Sequence, residues 1–184
     1  MMTRRNRMDA KIIAAASRQY AEHGFDNRKR LRERVLAQLF AGRWKPEWDA
    51  LLVDRRLPLD ERLTRFYTQY RGKIQRAEAR LWTRAGLLGR HGPAFSRTLE
   101  KRILIPVVRE LRHAAGVPSR RAASRKEIEL VQMLHGAIAF PHTRSYIFDM
   151  NVYGRLPDLV AMMVRVWLPG AIQEERRLSR RLRR

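Results

Sequence analysis

Between Gly24 and Arg28 two helical patterns meet with almost no chain between them, and that junction limits what the N-terminal part of this 184-residue sequence can build. From Met8 to His23, the residues Ile13, Ala16, Ser17 and Tyr20 recur at steps of three and four, which places them on one face of an amphipathic helix. After Asn27 the pattern restarts, with Leu31, Val35, Leu36, Leu39 and Phe40 again at helical spacing. Asn27 is placed to cap that second helix, because its side-chain oxygen can accept from the free backbone amides near Arg28. The spacing predicts two helices joined by a tight connector, with no residues left for another helix between them.

The remaining chain also reads as helix. Leu59 and Asp60 introduce a run in which Leu63, Phe66, Tyr67 and Tyr70 form a stripe that faces a core. Ile74, Leu81, Trp82, Ala85 and Leu88 continue that character after Gly72, and Gly86 to Gly92 is a break before Pro93. Phe95, Leu99, Ile103, Val107 and Leu111 mark another helix, in which Pro106 removes an amide donor and predicts a kink near Leu104 and Ile105. Gly116-Val117-Pro118-Ser119 ends it. Arg120 to Ser124 reads as a polar loop, and Lys126 opens a longer helix.

The last third is the most apolar. Ile128, Leu130, Val131, Met133, Leu134, Ala137 and Ile138 leave few polar positions, and Leu159 to Leu168 form a second such helix, bounded by Pro157 before it and Pro169-Gly170 after it. Two helices apolar on several faces are hard to bury within one chain of this size. Pairing them with the same two helices of a second copy gives a four-helix bundle, so a homodimer is expected, with Val131, Leu134, Ile138, Val160, Met163 and Trp167 assigned to its interface.

Ile12 to Ala16 and Tyr20-Ala21-Glu22-His23-Gly24-Phe25 resemble the first helix of TetR/AcrR transcriptional regulators and the Gly-aromatic turn that closes it. Phe25-Asp26-Asn27-Arg28-Lys29-Arg30-Leu31 resembles the capped start of that family's fourth helix, and one phenylalanine serves both motifs. Leu134 to Ala139 and Val164 to Ala171 are similar to its two dimerisation helices. The resemblance implies an all-α, TetR-like bundle: a truncated basic head at 1–45, a ligand-binding and dimerisation domain at 46–175, and a basic tail at 176–184. The two helices that normally include the recognition helix have no residues here, so base discrimination is expected to be weak. Such regulators enclose an effector pocket, and by resemblance Phe66, Tyr70, Trp82, Phe95, Met133, Tyr146 and Trp167 are its candidate lining for a small apolar effector. The same residues can equally be core filling.

Forty Lys and Arg against eighteen Asp and Glu give a formal charge of +22, a field that attracts polyanions. Arg4, Arg5, Arg7, Lys11, Arg28, Lys29, Arg30 and Arg32 are the candidate phosphate contacts, with a second cluster running from Arg176 to Arg184. Both clusters can also be solvated helix faces. Three functional readings follow: a DNA-binding regulator, a dimerisation and ligand-binding module that no longer binds DNA, and a basic binder of RNA or an acidic membrane surface. Cysteine is absent, which excludes disulfides and thiolate metal sites and agrees with a reducing cytoplasm, which the resemblance implies is bacterial. No apolar run suits an export signal or a membrane span. His135 and His142, seven apart, lack the further ligands a metal needs. No phosphate loop, zinc-protease or nucleophile-elbow motif occurs, so neither an enzyme nor a cofactor is expected. Glu127 and Glu129, two apart on a helix, read as a solvated face.

Overall fold

The computed structural model describes Ala14 and residues 44–87 and 92–181. The junction at Gly24 to Arg28, with the tight turn expected there, lies outside the described residues. Among those described, every regular element is helical and there is no strand. The elements are α1 (Pro46–Val53), α2 (Leu59–Gly72), α3 (Arg76–Leu87), α4 (Gly92–Leu99), a π-helical stretch (Glu100–Leu104), α5 (Ile105–Ala114), α6 (Arg125–Tyr146) and α7 (Leu156–Arg181). None of the described helices is long and apolar enough to cross a membrane.

The described chain divides into two units, one made of 46–74 with 99–181, the other including 44–45, 75–87 and 92–98. In the second unit, Ala79 N–H donates to Gln75 O at 2.9 Å as α3 opens, and Glu78 in its first turn complements the helix dipole.

In the first unit α2 buries Leu63, Phe66, Tyr67 and Tyr70, the stripe read from the sequence. Trp48 on α1 is fully buried against it: its ring meets Phe66 at 6.0 Å and Tyr70 at 5.5 Å, both nearly perpendicular, and its indole N–H donates to Gln69 Oε1 at 3.1 Å. Edge-to-face pairs of this kind add ~1 kcal/mol each to the area they bury. Ile103, Val107, Val108 and Leu111 bring the next helical run into the core, joined by Val131, Leu134 and Ile138 from α6 and Val160 and Val164 from α7.

Pro106 perturbs its helix where expected. Instead of a simple kink, the chain widens into the π-helical stretch just before it, and Ile105 N–H bonds Glu100 O. The wider turn makes room for the pyrrolidine ring and keeps Ile103 and Leu104 buried. α5 then stops in a Schellman arrangement: Gly116, at φ 72°, donates to His113 O, and Val117 N–H donates to Arg112 O.

The expected end of the last helix at Pro169-Gly170 is not observed, since α7 runs through both to Arg181. Proline costs a helix its own amide bond and the acceptor four residues back, here Arg165, an exposed position where water can satisfy the carbonyl. Ala171, Glu175, Leu178 and Ser179 then keep returning to the buried side, so packing beyond the proline holds the helix together.

Candidate functional site

The surface of the α6–α7 hairpin is unusually apolar. On α6, Met133 is 65% exposed and Phe140 54%, with Gly136 and Ala137 exposed between them. On α7, Met162 and Val166 are exposed, the latter at 74%, followed by Pro169 and Gly170. Spacings of three and four put each set on one face of its helix. A Cβ built on Gly136 or Gly170 meets nothing within 4 Å, so nothing among the described residues explains a glycine at either helical position.

This face is offset from the interface positions assigned by sequence. Val131, Leu134, Ile138 and Val160 are at most 1% exposed, because they already pack into the chain's own core. Met163 is half-buried, and so is Trp167, whose indole N–H donates to Leu130 O at 3.2 Å and ties α7 to α6. The positions open to a partner lie one or two residues around each helix from those assigned.

The candidate effector residues whose side chains are described do not form one lining. Phe66 and Tyr70 stack on each other at 5.5 Å and 11° within the closed aromatic core. Met133 faces solvent and Trp167 is engaged with α6. Tyr146 borders a shallow, largely open depression at the hairpin apex. The side chains of Trp82 and Phe95 lie outside the described set. His135 packs beside Tyr67 and Tyr70, and His142 meets the Tyr146 ring edge-on at 5.2 Å.

Sequence reasoning missed a buried ionic network at the other end of the hairpin. Glu127, expected on a solvated face, is completely buried, while Glu129 is exposed. The reason is the number of donors it collects. Arg112 reaches it through Nε at 2.7 Å and Nη2 at 2.9 Å, Arg121 through Nη1 and Nη2 at 2.7 Å each, and Ser124 N–H at 2.7 Å. Ser124 Oγ accepts from Glu127 N–H in return, which completes a capping box at the start of α6. Arg112 uses its remaining donors on the carbonyls of Ser119, Arg121 and Ala122, so the loop is wrapped around a buried guanidinium. Burial alone would raise the Glu127 pKa, but the two guanidiniums hold its carboxyl well below the usual range.

Glu175, on α7, enters the same network with less support. It is fully buried, accepts from Ser179 Oγ at 3.0 Å, and stands 3.9 and 4.0 Å from Arg112 Nε and Arg121 Nη2. Burial and the neighbouring Glu127 push its carboxyl up to about 7. A simpler cluster ties α1, α2 and α5: Arg55 and the buried Arg62 both bond Glu110, and Arg62 also donates to Leu52 O at 2.7 Å. The pattern Ser124-x-x-Glu127 ahead of an apolar run was a legible cap signal, whereas nothing in the sequence marks Arg112 or Glu175 as interior.

The candidate phosphate contacts Arg4, Arg5, Arg7, Lys11, Arg28, Lys29, Arg30 and Arg32 lie outside the described residues. Arg176, Arg177 and Arg180 of the second basic cluster stand on the last turns of α7, where Arg176 Nε also donates to Ala115 O at 3.0 Å. Comparison of the chain with protein-family models, with curated proteins and with solved structures gives no match.

Proposed function

We propose that two copies of this chain pair through the outer faces of α6 and α7, and that the pair acts as a non-enzymatic regulator of the TetR-like kind, holding DNA mainly by its phosphates. The observation that carries the reading is the pair of exposed apolar faces, Met133 and Phe140 around Gly136 on α6 and Met162 and Val166 beside Gly170 on α7. Large apolar side chains clustered on one surface mark an interaction site, and helical glycines cost about 1 kcal/mol each relative to alanine unless another backbone comes close. A copy related by a twofold axis presents the same face and satisfies both. Support for the DNA contact is the formal charge of +22, together with the sequence resemblance. A small apolar effector and a bacterial cytoplasmic setting belong to the same proposal.

Two measurements test it. Sedimentation of the purified chain gives a dimer at micromolar concentration; a monomer rejects the pairing. In a salt titration against duplex DNA, about 6 to 10 phosphate contacts weaken binding by roughly 10³ to 10⁵ between about 50 and 200 mM salt, with little difference between sequences. A flat titration at low salt removes the DNA role and leaves a self-associating module. Tight binding to one operator in the presence of competitor DNA contradicts the weak-discrimination reading.

A further inference from the structure

The end of α5, the loop that follows it, the start of α6 and the last turns of α7 meet at one end of the unit formed by 46–74 and 99–181. Arg112 and Arg121 stand 3.9 and 4.0 Å from Glu175, and Arg176 Nε donates to Ala115 O at 3.0 Å, so segments far apart in sequence are held side by side. Glu127 and Glu175 are buried here, and Arg112 and Arg121 take up Glu127 from within. The outer surface is left basic, with Arg120, Arg125, Lys126, Arg176 and Arg180 all exposed. Of the other acids on these segments, Glu174 pairs with Arg177 at 3.6 Å, and Glu129 forms no ion pair among the described residues. The side chains of Arg120, Arg125, Lys126 and Arg180 likewise bond no described group. Arg125 and Lys126 also occupy the first two positions of α6, beside the positive end of its dipole, where an acid supports a helix and a base opposes it.

We infer that this end of the bundle is a second contact for duplex DNA, in which Arg120, Arg125, Lys126, Arg176 and Arg180 pair with backbone phosphates. The inference rests on the DNA contact proposed above and gives it a place outside the head. Four of the five side chains are arginine, whose planar fork can give a phosphate two bonds at once. They come from a loop, a helix start and a helix end, so they spread over a surface that suits successive phosphates along a strand better than one small anion. Contacts of this kind carry no sequence information, in agreement with weak base discrimination. An acidic membrane offers the same charge, but elements that lie on membranes also bury apolar side chains in them. Among residues 112–127 and 171–180 no large apolar side chain is exposed; those on α6, α7 and their connecting loop run from Met133 to Val166.

The test is a salt titration against duplex DNA with three full chains: wild type, the double variant Arg125→Ala with Arg180→Ala, and a charge-matched control, Lys101→Ala with Arg155→Ala. Arg155 precedes α7 and Lys101 lies in the π-helical stretch, so both control side chains are exposed elsewhere on the same unit. None of the four side chains is buried, and both variants keep the helical circular dichroism of the wild type. At about 0.9 per phosphate contact, the slope of log affinity against log salt is shallower by roughly 1.8 in the first variant, while the control keeps the wild-type slope. Equal slopes in the two variants, with the wild type binding, overturn the inference and leave the proposed DNA contact standing. A wild type that does not bind DNA at low salt removes that contact and this inference together. The same three chains are cosedimented with phosphatidylserine vesicles. If the first variant loses vesicle binding relative to the control while its DNA slope is unchanged, the surface belongs to a membrane and the inference is overturned.

Discussion

Glu175 is the residue whose chemistry is least at rest. Its carboxyl is buried beside another carboxylate, and where Glu127 collects five donors, it has one hydroxyl and two guanidinium contacts near 4 Å. The folded chain therefore prefers it protonated. Because its folded pKa of about 7 lies above the ordinary 4.5, its contribution to stability is complete below about pH 4.5 and is lost as pH rises through 7. Glu127 has the opposite sign: its contribution is complete above its ordinary 4.5 and is lost only in acid. Between mildly acid and mildly alkaline pH, then, Glu175 is the member of the pair that changes. Urea denaturation at a series of pH values should show the wild-type midpoint falling across this window relative to Glu175→Gln, whose amide does not ionise. Parallel profiles for the two proteins would show that Glu175 keeps its charge in the fold. Arg112 occupies the opposite position, since removing it leaves the buried Glu127 with only Arg121 and Ser124 as donors and strips the carbonyls of Ser119, Arg121 and Ala122 of theirs. Arg112→Ala should cost roughly 3–5 kcal/mol in the same experiment, the usual penalty for breaking a buried pair from one side.

At the scale of elements, caps and packing decide where each helix runs. Ser124→Ala removes one half of the capping box that starts α6 and should cost ~1 kcal/mol by thermal denaturation. Gly136→Ala separates two roles of one position. Since a Cβ there meets nothing within 4 Å, alanine should stabilise the isolated chain by about 1 kcal/mol, while crowding a partner helix that packs on the same face. Denaturation at low concentration together with sedimentation at high concentration reads both effects, and a variant that gains stability without losing self-association places the partner elsewhere. The elements most legible in the sequence were those with one clear apolar stripe, as in α2, or with paired stop signals, as in Gly116-Val117-Pro118. Pro106 was legible as a disturbance, but its resolution into a π-helical stretch was not, because that depends on what Ile103 and Leu104 gain by staying buried. Pro169-Gly170 misled for the same reason: a local stop signal was overridden by Ala171, Glu175 and Leu178 packing further on. In the candidate interface, composition showed that α6 and α7 have surplus apolar surface. Which residues are surplus depends on helix rotation, and 3.6-residue periodicity is uninformative when almost every position is apolar.

For the whole molecule, the two proposed interactions respond to salt in opposite directions. A chain with a formal charge of +22 repels its own copy, so pairing through the apolar face works against a field that doubles in the pair. Salt shortens the reach of that repulsion, with a Debye length of about 10 Å at 0.1 M falling to about 3 Å at 1 M, while the apolar contact itself is little weakened. Contact with DNA follows the reverse rule, because each neutralised phosphate releases a counterion whose return is favoured by added salt. Self-association should therefore tighten, and DNA binding loosen, across the same titration. Val166→Asp makes the distinction sharper. It puts a charge into the proposed interface at a position 74% exposed in the single chain, so it should abolish the dimer at every salt concentration without lowering the stability of the monomer by more than ~0.5 kcal/mol. Its DNA affinity should then fall only by what pairing supplied. If Val166→Asp still sediments as a dimer, or if the wild-type dimer dissociates as salt rises, the two copies are held by charged groups and the apolar face of α6 and α7 serves something else.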